Sequence, residues 1–266
     1  MNPITFAAVL LATLLPLFLA GRRWELSWVS LIMRGFIFIP INLVSVALLG
    51  TGPLLSLVAS LVLLGIEIPC SILPFFYSDP ERSIPDDDNS FFSPADGHIV
   101  YIKRLDRGRI PLCTKKGRTF SPTELSGIDN LAENGYLIGI GMNFLDVHVT
   151  RIPKSGDVVK VTHVPGKFIS LKRPEAVVQN ERASVAVRTP EFTYGVVLIA
   201  SRLVRRIEIW VKQKESVRTG RRLGIIKFGS QVDVILPGTM VESILVKPGD
   251  KVTAGITPIA SLQRSE

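Results

Sequence analysis

Three short segments carry side chains of the types that make and break acyl bonds. Ser230 follows Gly229 inside "IIKFGSQVDVILP" (Ile225–Pro237), His148 sits in "DVHVTRIP" (Asp146–Pro153), and Asp96 sits in "SPADG" (Ser93–Gly97). A hydroxyl, an imidazole that titrates near neutrality and a carboxylate are the parts of an activated serine: the base takes the hydroxyl proton and the acid orients the base. Each residue also has a plainer reading. Gly-Ser in an apolar run marks a bulge or bend, Asp before Gly marks a turn, and a lone strand histidine is a structural residue. A serine hydrolase acting on external substrates would need a nucleophile elbow, and "FGSQV" lacks the final Gly of G-x-S-x-G.

The remaining titratable residues add no second centre. His98 follows "ADG" at the start of a strand and His163 precedes the "PGK" turn (Pro165–Lys167), both places for structural or exposed histidines. Cys70 lies in an apolar run and Cys113 in the polar part, poorly placed to pair. No disulfide framework, zinc site or other metal triad is expected, and a reducing compartment fits.

The elements that must position these residues are strands. From Ser78 onward, "HIVYIKRL", "YLIGIGM", "DVVKVTHV", "ASVAVRT", "YGVVLIA" and "RIEIWVK" alternate with Gly, Pro and Asp turns. Helical candidates are Ser121–Leu125, where Ser121 and Glu124 suit a capping box, and a turn near Ile199–Arg206. "VKQKESVRTG" (Val211–Gly220) and "VKPGDKVTAG" (Val246–Gly255) align at a spacing of 35, and "IPKSGDV" (Ile152–Val158) echoes their first half. Duplicated hairpins of this kind suit a compact barrel or sandwich and are similar to the turns of lipoyl-type and biotinyl-type carrier domains. The expectation is a mainly β unit over 78–266 with lipoyl-like hairpin repeats.

Residues 1–77 differ in kind. The chain is 47% hydrophobic with a mean hydropathy of +0.34, and most of the excess precedes Phe76. The apolar runs predict transmembrane or membrane-embedded helices at about 4–20, 29–50 and 54–76, with "GTGP" (Gly50–Pro53) as a turn. The positively charged leader of a signal peptide is absent, so a retained anchor is favoured, a re-entrant or interfacial hairpin being the alternative for the second and third runs. Arg22, Arg23 and Arg34 place the first loop in the cytoplasm, and with it the β unit, on the cytoplasmic side of the cell (inner) membrane. Net charge is +8, with nine basic residues between Arg202 and Lys227 against Glu208 and Glu215. Beside an anchor, the partner for such a stripe is an anionic membrane surface; no nucleic-acid module is recognisable, and nucleic acid is not expected.

Taken in order, "FFYSDPERSIP", "FSPADGHIV", "GMNFLDVHVTRIPKSGDVV", "HVPGKF", "NER" (Asn180–Arg182), "LIASRLVRRI" and "RLGIIKFGSQVDVILP" resemble the phosphatidylserine decarboxylase family over nearly all of residues 73–260. The compact chain is similar to the family's short branch, which acts on phosphatidylserine or, in archaea, archaetidylserine. The resemblance implies a precursor that cuts itself between Gly229 and Ser230, leaving residues 1–229 and 230–266 associated. Ser230 then becomes a pyruvoyl group, the cofactor, which forms a Schiff base with the serine-headgroup phospholipid and drives decarboxylation to phosphatidylethanolamine. Asp96, His148 and Ser230 are the implied catalytic residues. Self-association as a homo-oligomer is left open. Two departures matter: Arg151 stands where many bacterial members carry a second histidine, and Gln231 where many short members carry an arginine, whose anion contact Arg151 or Lys227 would have to replace. The competing expectation is a lipoyl- or biotinyl-like carrier module without decarboxylase activity, with Lys251 or Lys154 as its modifiable lysine.

Overall fold

The structure, a computed structural model, describes residues 3–23, 28–49, 53–76, 78–111, 119–129, 131–143, 146–201, 206–226 and 230–263. Backbone contacts divide the chain into two units, Met1–Phe75 and Phe76–Glu266. The first holds α1 (Pro3–Arg23), α2 (Trp28–Leu49) and α3 (Pro53–Phe76). Proline at the first position of α3 suits a helix start, where no amide hydrogen is needed, whereas Pro40 removes a backbone bond inside α2. Asn42 Nδ2 donates to the Phe38 carbonyl (3.0 Å) and to Glu67 Oε2 (3.1 Å), tying α2 to α3. Ile4, Leu11, Val44, Leu54 and Val62 stay exposed on these helices. Among the described residues no helix is both long and apolar enough to cross a membrane. The spanning anchor expected from the sequence thus finds no support among the described residues. The "GTGP" turn and Cys113 fall largely or wholly outside the described residues.

The second unit is mainly β. In chain order its strands are β1 (Ser90–Phe92), β2 (Gly97–Leu105), β3 (Ile110–Pro111), β4 (Thr119–Phe120), β5 (Gly135–Met142), β6 (Val149–Arg151), β7 (Gly156–Val164), β8 (Arg182–Arg188), β9 (Thr193–Ile199), β10 (Ile207–Ile209), β11 (Ser216–Val217), β12 (Arg222–Ile226), β13 (Ser230–Pro237), β14 (Val241–Ile244), β15 (Lys251–Val252) and β16 (Pro258–Leu262). Two short helices, α4 (Pro122–Ser126) and α5 (Ala176–Gln179), complete it. The expected capping box is present: Glu124 N donates to Ser121 Oγ (3.0 Å) and Ser121 N to Glu124 Oε2 (2.7 Å). Ile199, placed by the sequence in a helical turn, instead ends β9, and residues 202–205 lie outside the described set.

An eight-stranded antiparallel sheet, in the order β11-β7-β8-β9-β13-β5-β2-β15, organises the unit. Both faces of its centre are covered, so its strands read as near-continuous apolar runs. Val232, Val234 and Leu236 of β13 enter one core with Ile138, Ile140, Val196 and Leu198, while Ile235 enters the other with Leu137, Val197, Phe120 and Leu125. Each such side chain contributes about 1.5–3 kcal/mol by leaving water.

The 35-residue repeat forms the two edges of this sheet. Ser216–Val217 of β11 pair with Asp157–Gly156, and Lys251–Val252 of β15 pair with His98–Gly97. The backbone matches as well, with positive φ at Lys214 (70°) and Gly249 (95°), and again at Gly220 (79°) and Gly255 (72°). The sheet curls until its edges approach: a Cβ on Gly255 would lie 3.5 Å from Gly220 Cα and 2.9 Å from Ile84 Cδ1, so Ile84 plugs the seam. The result is a curled antiparallel half-barrel. Its lipoyl-like repeats supply the two edge strands.

Candidate active site

Strand register gathers the residues singled out by the sequence at one end of the sheet. Ser230, the first residue of β13, pairs with Met142 of β5; Gly141 pairs with Gln231 on one side and His98 on the other; His98 pairs with Lys251. Asp96 immediately precedes β2, and His148 immediately precedes β6. β6 pairs with β12 through Val149↔Ile225, and Ile226 N donates to the His148 carbonyl (3.4 Å). His148 is thus stitched to the strand that leads into the Gly-Ser junction. Gly229 and Lys227 lie outside the described residues, and Ser230 is described as backbone only.

His148 is fully buried. Its Nδ1 lies 2.7 Å from the Asp146 carbonyl oxygen, which only accepts, so Nδ1 carries the hydrogen and Nε2 the lone pair of the neutral ring. Burial pushes its pKa down to about 4, opposed by the Asp146 hydrogen bond and the Asp96 charge, so the ring is neutral at physiological pH. Such an imidazole is a ready proton acceptor at Nε2. The expected orienting role of Asp96 is taken instead by the Asp146 backbone, and Asp96 acts on the ring through space. Local sequence held no signal for a carbonyl two residues upstream.

Asp96 has other partners. Arg82 donates to both carboxylate oxygens (2.7 and 2.8 Å), and Ala254 N donates to Oδ1 (2.8 Å). Nearby, Arg151 is buried and donates to the Gly220 carbonyl (2.9 Å), the Pro80 carbonyl (3.0 Å) and Asp79 (2.8 Å), while Arg222 donates to Asp79 and Glu81. The residue that replaces a second histidine is therefore a structural cation already occupied inside the protein, not a stand-in for an anion contact.

Gln231 points to the opposite face. Its Nε2 donates to Tyr101 Oη (2.7 Å) and Asp233 Oδ1 (2.7 Å), and Tyr101 Oη donates to Asp233 Oδ2 (2.6 Å). Burial pushes the Asp233 pKa up to about 6, offset by these hydrogen bonds and by Lys103; burial, with the Asp233 charge, raises Tyr101 too. The Tyr101 ring lies over Gly139, where a Cβ would come within 2.6 Å of it. The signal available in the sequence was a lone carboxylate at an inward position of "VDVIL".

His163 stands apart, its Nε2 3.2 Å from Glu181 and about half exposed. Among the described residues no cluster of metal-ligating side chains occurs. Lys154 Nζ donates to the Asp88 carbonyl and Lys251 lies in β15, so neither offers the bare hairpin tip of a carrier domain.

A curled sheet whose end joins a neutral buried histidine, a clamped aspartate and the start of its central strand defines a β-rich enzyme built around one serine-bearing strand. Residues 73–260 match the phosphatidylserine decarboxylase family. The chain is 32% identical over 222 residues, 79% of its length and 94% of the relative, to a phosphatidylserine decarboxylase proenzyme of Desulfotalea psychrophila. It is 38% identical over 195 residues, 72% of its length and 91% of the relative, to a protein of Methanocaldococcus jannaschii provisionally named an archaetidylserine decarboxylase proenzyme. The chain belongs to the phosphatidylserine decarboxylase family.

Proposed function

We propose that the chain breaks its own Gly229–Ser230 bond and then decarboxylates phosphatidylserine to phosphatidylethanolamine. The observation that carries this reading is that Ser230 opens the central strand at the sheet end shared with His148 and Asp96. In processing, His148 Nε2 takes the Ser230 hydroxyl proton while Oγ bonds to the Gly229 carbonyl carbon. The C–N bond breaks and the proton passes to the amine, leaving an ester. Loss of the Ser230 Cα proton and cleavage of Cβ–Oγ free the Gly229 carboxylate. Addition of water and loss of ammonia leave a pyruvoyl ketone at residue 230.

The fold suits that group. β13 is bonded to β5 from Ser230 to Pro237 and to β9 from Gln231 to Ile235, so cutting before Ser230 leaves the new end anchored on both sides. The ketone supplies an electron sink for the amine-bearing carbon of the substrate, from which the carboxylate leaves as carbon dioxide. His148, neutral and held through Nδ1, can carry a proton at Nε2 to and from the reacting carbon.

The apolar side chains exposed on α1 to α3 support embedding of these helices in a membrane, and the basic stretch between Arg202 and Lys227 supports contact with its anionic surface. With Arg22, Arg23 and Arg34 retained on the inner side, the β unit acts on the cytoplasmic face of the cell membrane. A periplasm-dependent reporter fused after Ser78 stays inactive on this reading.

Electrophoresis and mass measurement of the purified protein test the chemistry. The expected result is a large piece and a fragment of residues 230–266, 37 residues long, with a blocked N-terminus. Ser230→Ala abolishes the split and carbon dioxide release from phosphatidylserine vesicles together. An intact chain with an unmodified serine that still releases carbon dioxide overturns the proposal.

A further inference from the structure

The stretch after α3, Asp79 to Ile84, spends its side chains on the working end of the sheet. Arg82 is the centre of this. Its side chain is 8% exposed, that of Asp96 16%. The guanidinium meets both Asp96 oxygens and also donates to the Ala254 carbonyl (2.7 Å), while the Ala254 amide donates back to Asp96 Oδ1 (2.8 Å). Four hydrogen bonds thus close a ring between residue 82, residue 96 and the backbone of residue 254 in the C-terminal segment. Two neighbours hold the same stretch in place: Asp79 takes Arg151, three residues beyond His148, and Ile84 fills the seam between Gly220 and Gly255.

A bidentate Arg–carboxylate pair this well covered is directional and little screened, so it fixes both where the Asp96 charge sits and how much of it its surroundings feel. Asp96 is the charged side chain that acts through space on His148. Among the described residues, Asp146 on the His148 segment, His98 of β2 and Lys251 of β15 are the other titratable groups coupled at this end. Arg82 is the cation placed directly on Asp96. Ala254 belongs to the residues that would form the short fragment, whereas Arg82 and Asp96 belong to the long one.

We propose that Arg82 is a positioning residue for self-processing: its fork seats Asp96 on the Ala254 peptide and neutralises it, keeping His148 in the basic form. The inference rests on the self-processing reading above. A neutral residue at position 82 leaves the Asp96 charge uncompensated, which favours the His148 imidazolium and raises the pH below which processing fails.

The test is cell-free synthesis of the full chain into phospholipid nanodiscs, followed by the rate of appearance of the short fragment across pH. In Arg82→Gln the acid limb of the rate profile moves up by about one pH unit. In Arg82→Lys the limb stays in place and the rate falls severalfold, because one ammonium cannot hold two carboxylate oxygens and a carbonyl together. A limb that does not move in Arg82→Gln overturns the inference. Should Arg82→Gln fail to fold, an Arg82→Lys chain that splits at the wild-type rate, or whose limb moves, overturns it equally. His148→Gln and Ser230→Ala separate the two levels. If His148→Gln splits like wild type, the processing chemistry itself is wrong; if both controls abolish splitting and only the Arg82 profile disagrees, the assignment of Arg82 alone falls.

Discussion

Replacing Asp233 by asparagine removes a charge that the folded protein holds buried at neutral pH. The folded pKa of about 6 stands above the ordinary 3.8, so the fold binds this proton more tightly than the unfolded chain does. The associated stability is complete below about pH 3.8 and is lost as pH rises through about 6; some two units at 1.36 kcal/mol each amount to roughly 3 kcal/mol. His148 slopes the other way. Its folded value of about 4 lies below the ordinary 6.5, so its contribution is complete above about pH 6.5 and is lost as pH falls toward 4, again by roughly 3 kcal/mol. In the wild type the two slopes largely cancel between about pH 4 and 6. Asp233→Asn uncovers the His148 slope: relative to wild type the variant gains about 3 kcal/mol between pH 3.5 and 7.5, on top of a constant offset from fitting an amide between Tyr101 and Gln231. Urea unfolding of the detergent-solubilised Ser230→Ala chain, kept covalently whole so that unfolding stays unimolecular, measures the difference at each pH. Because wild-type and variant backgrounds share every other titrating group, those groups drop out of the comparison. A stability difference that stays constant within about 1 kcal/mol across this range, or that grows in the opposite direction, refutes the reasoning.

Two further outcomes follow from the same geometry. His148→Gln in the Ser230→Ala background gives the mirror image, a loss of stability as pH rises through about 6, because only the Asp233 slope remains; a flat difference from the parent sinks it. Gly97→Ala places a Cβ 2.2 Å from the Gly141 carbonyl oxygen at φ +144°, where the neighbour is backbone and cannot give way. It should destabilise by about 3 kcal/mol or more, seen as a lower urea midpoint, and a midpoint within about 0.5 kcal/mol of wild type contradicts the crowding.

The β character of the second unit, the α4 cap and the repeated turns were legible in the chain, because each rests on interactions within a few residues. Ser121 finds Glu124 three positions away, and alternating Val and Ile declare a strand wherever they lie. What the period of a strand does not encode is its neighbour. That the two repeats become opposite edges of one sheet, and that those edges close over Ile84, depends on the curl of eight strands together. Pairing across that sheet brings Arg82, Asp96 and Ala254 into one ring, moves the orienting contact of His148 from a carboxylate to the Asp146 carbonyl, and turns Arg151 inward. Three apolar runs likewise named helices without showing that Asn42 meets Glu67 between two of them. Local sequence determined which groups this protein has to work with; only long-range closure of the sheet decided which charge stands beside which, since electrostatic partners are set by distance in space and not along the chain.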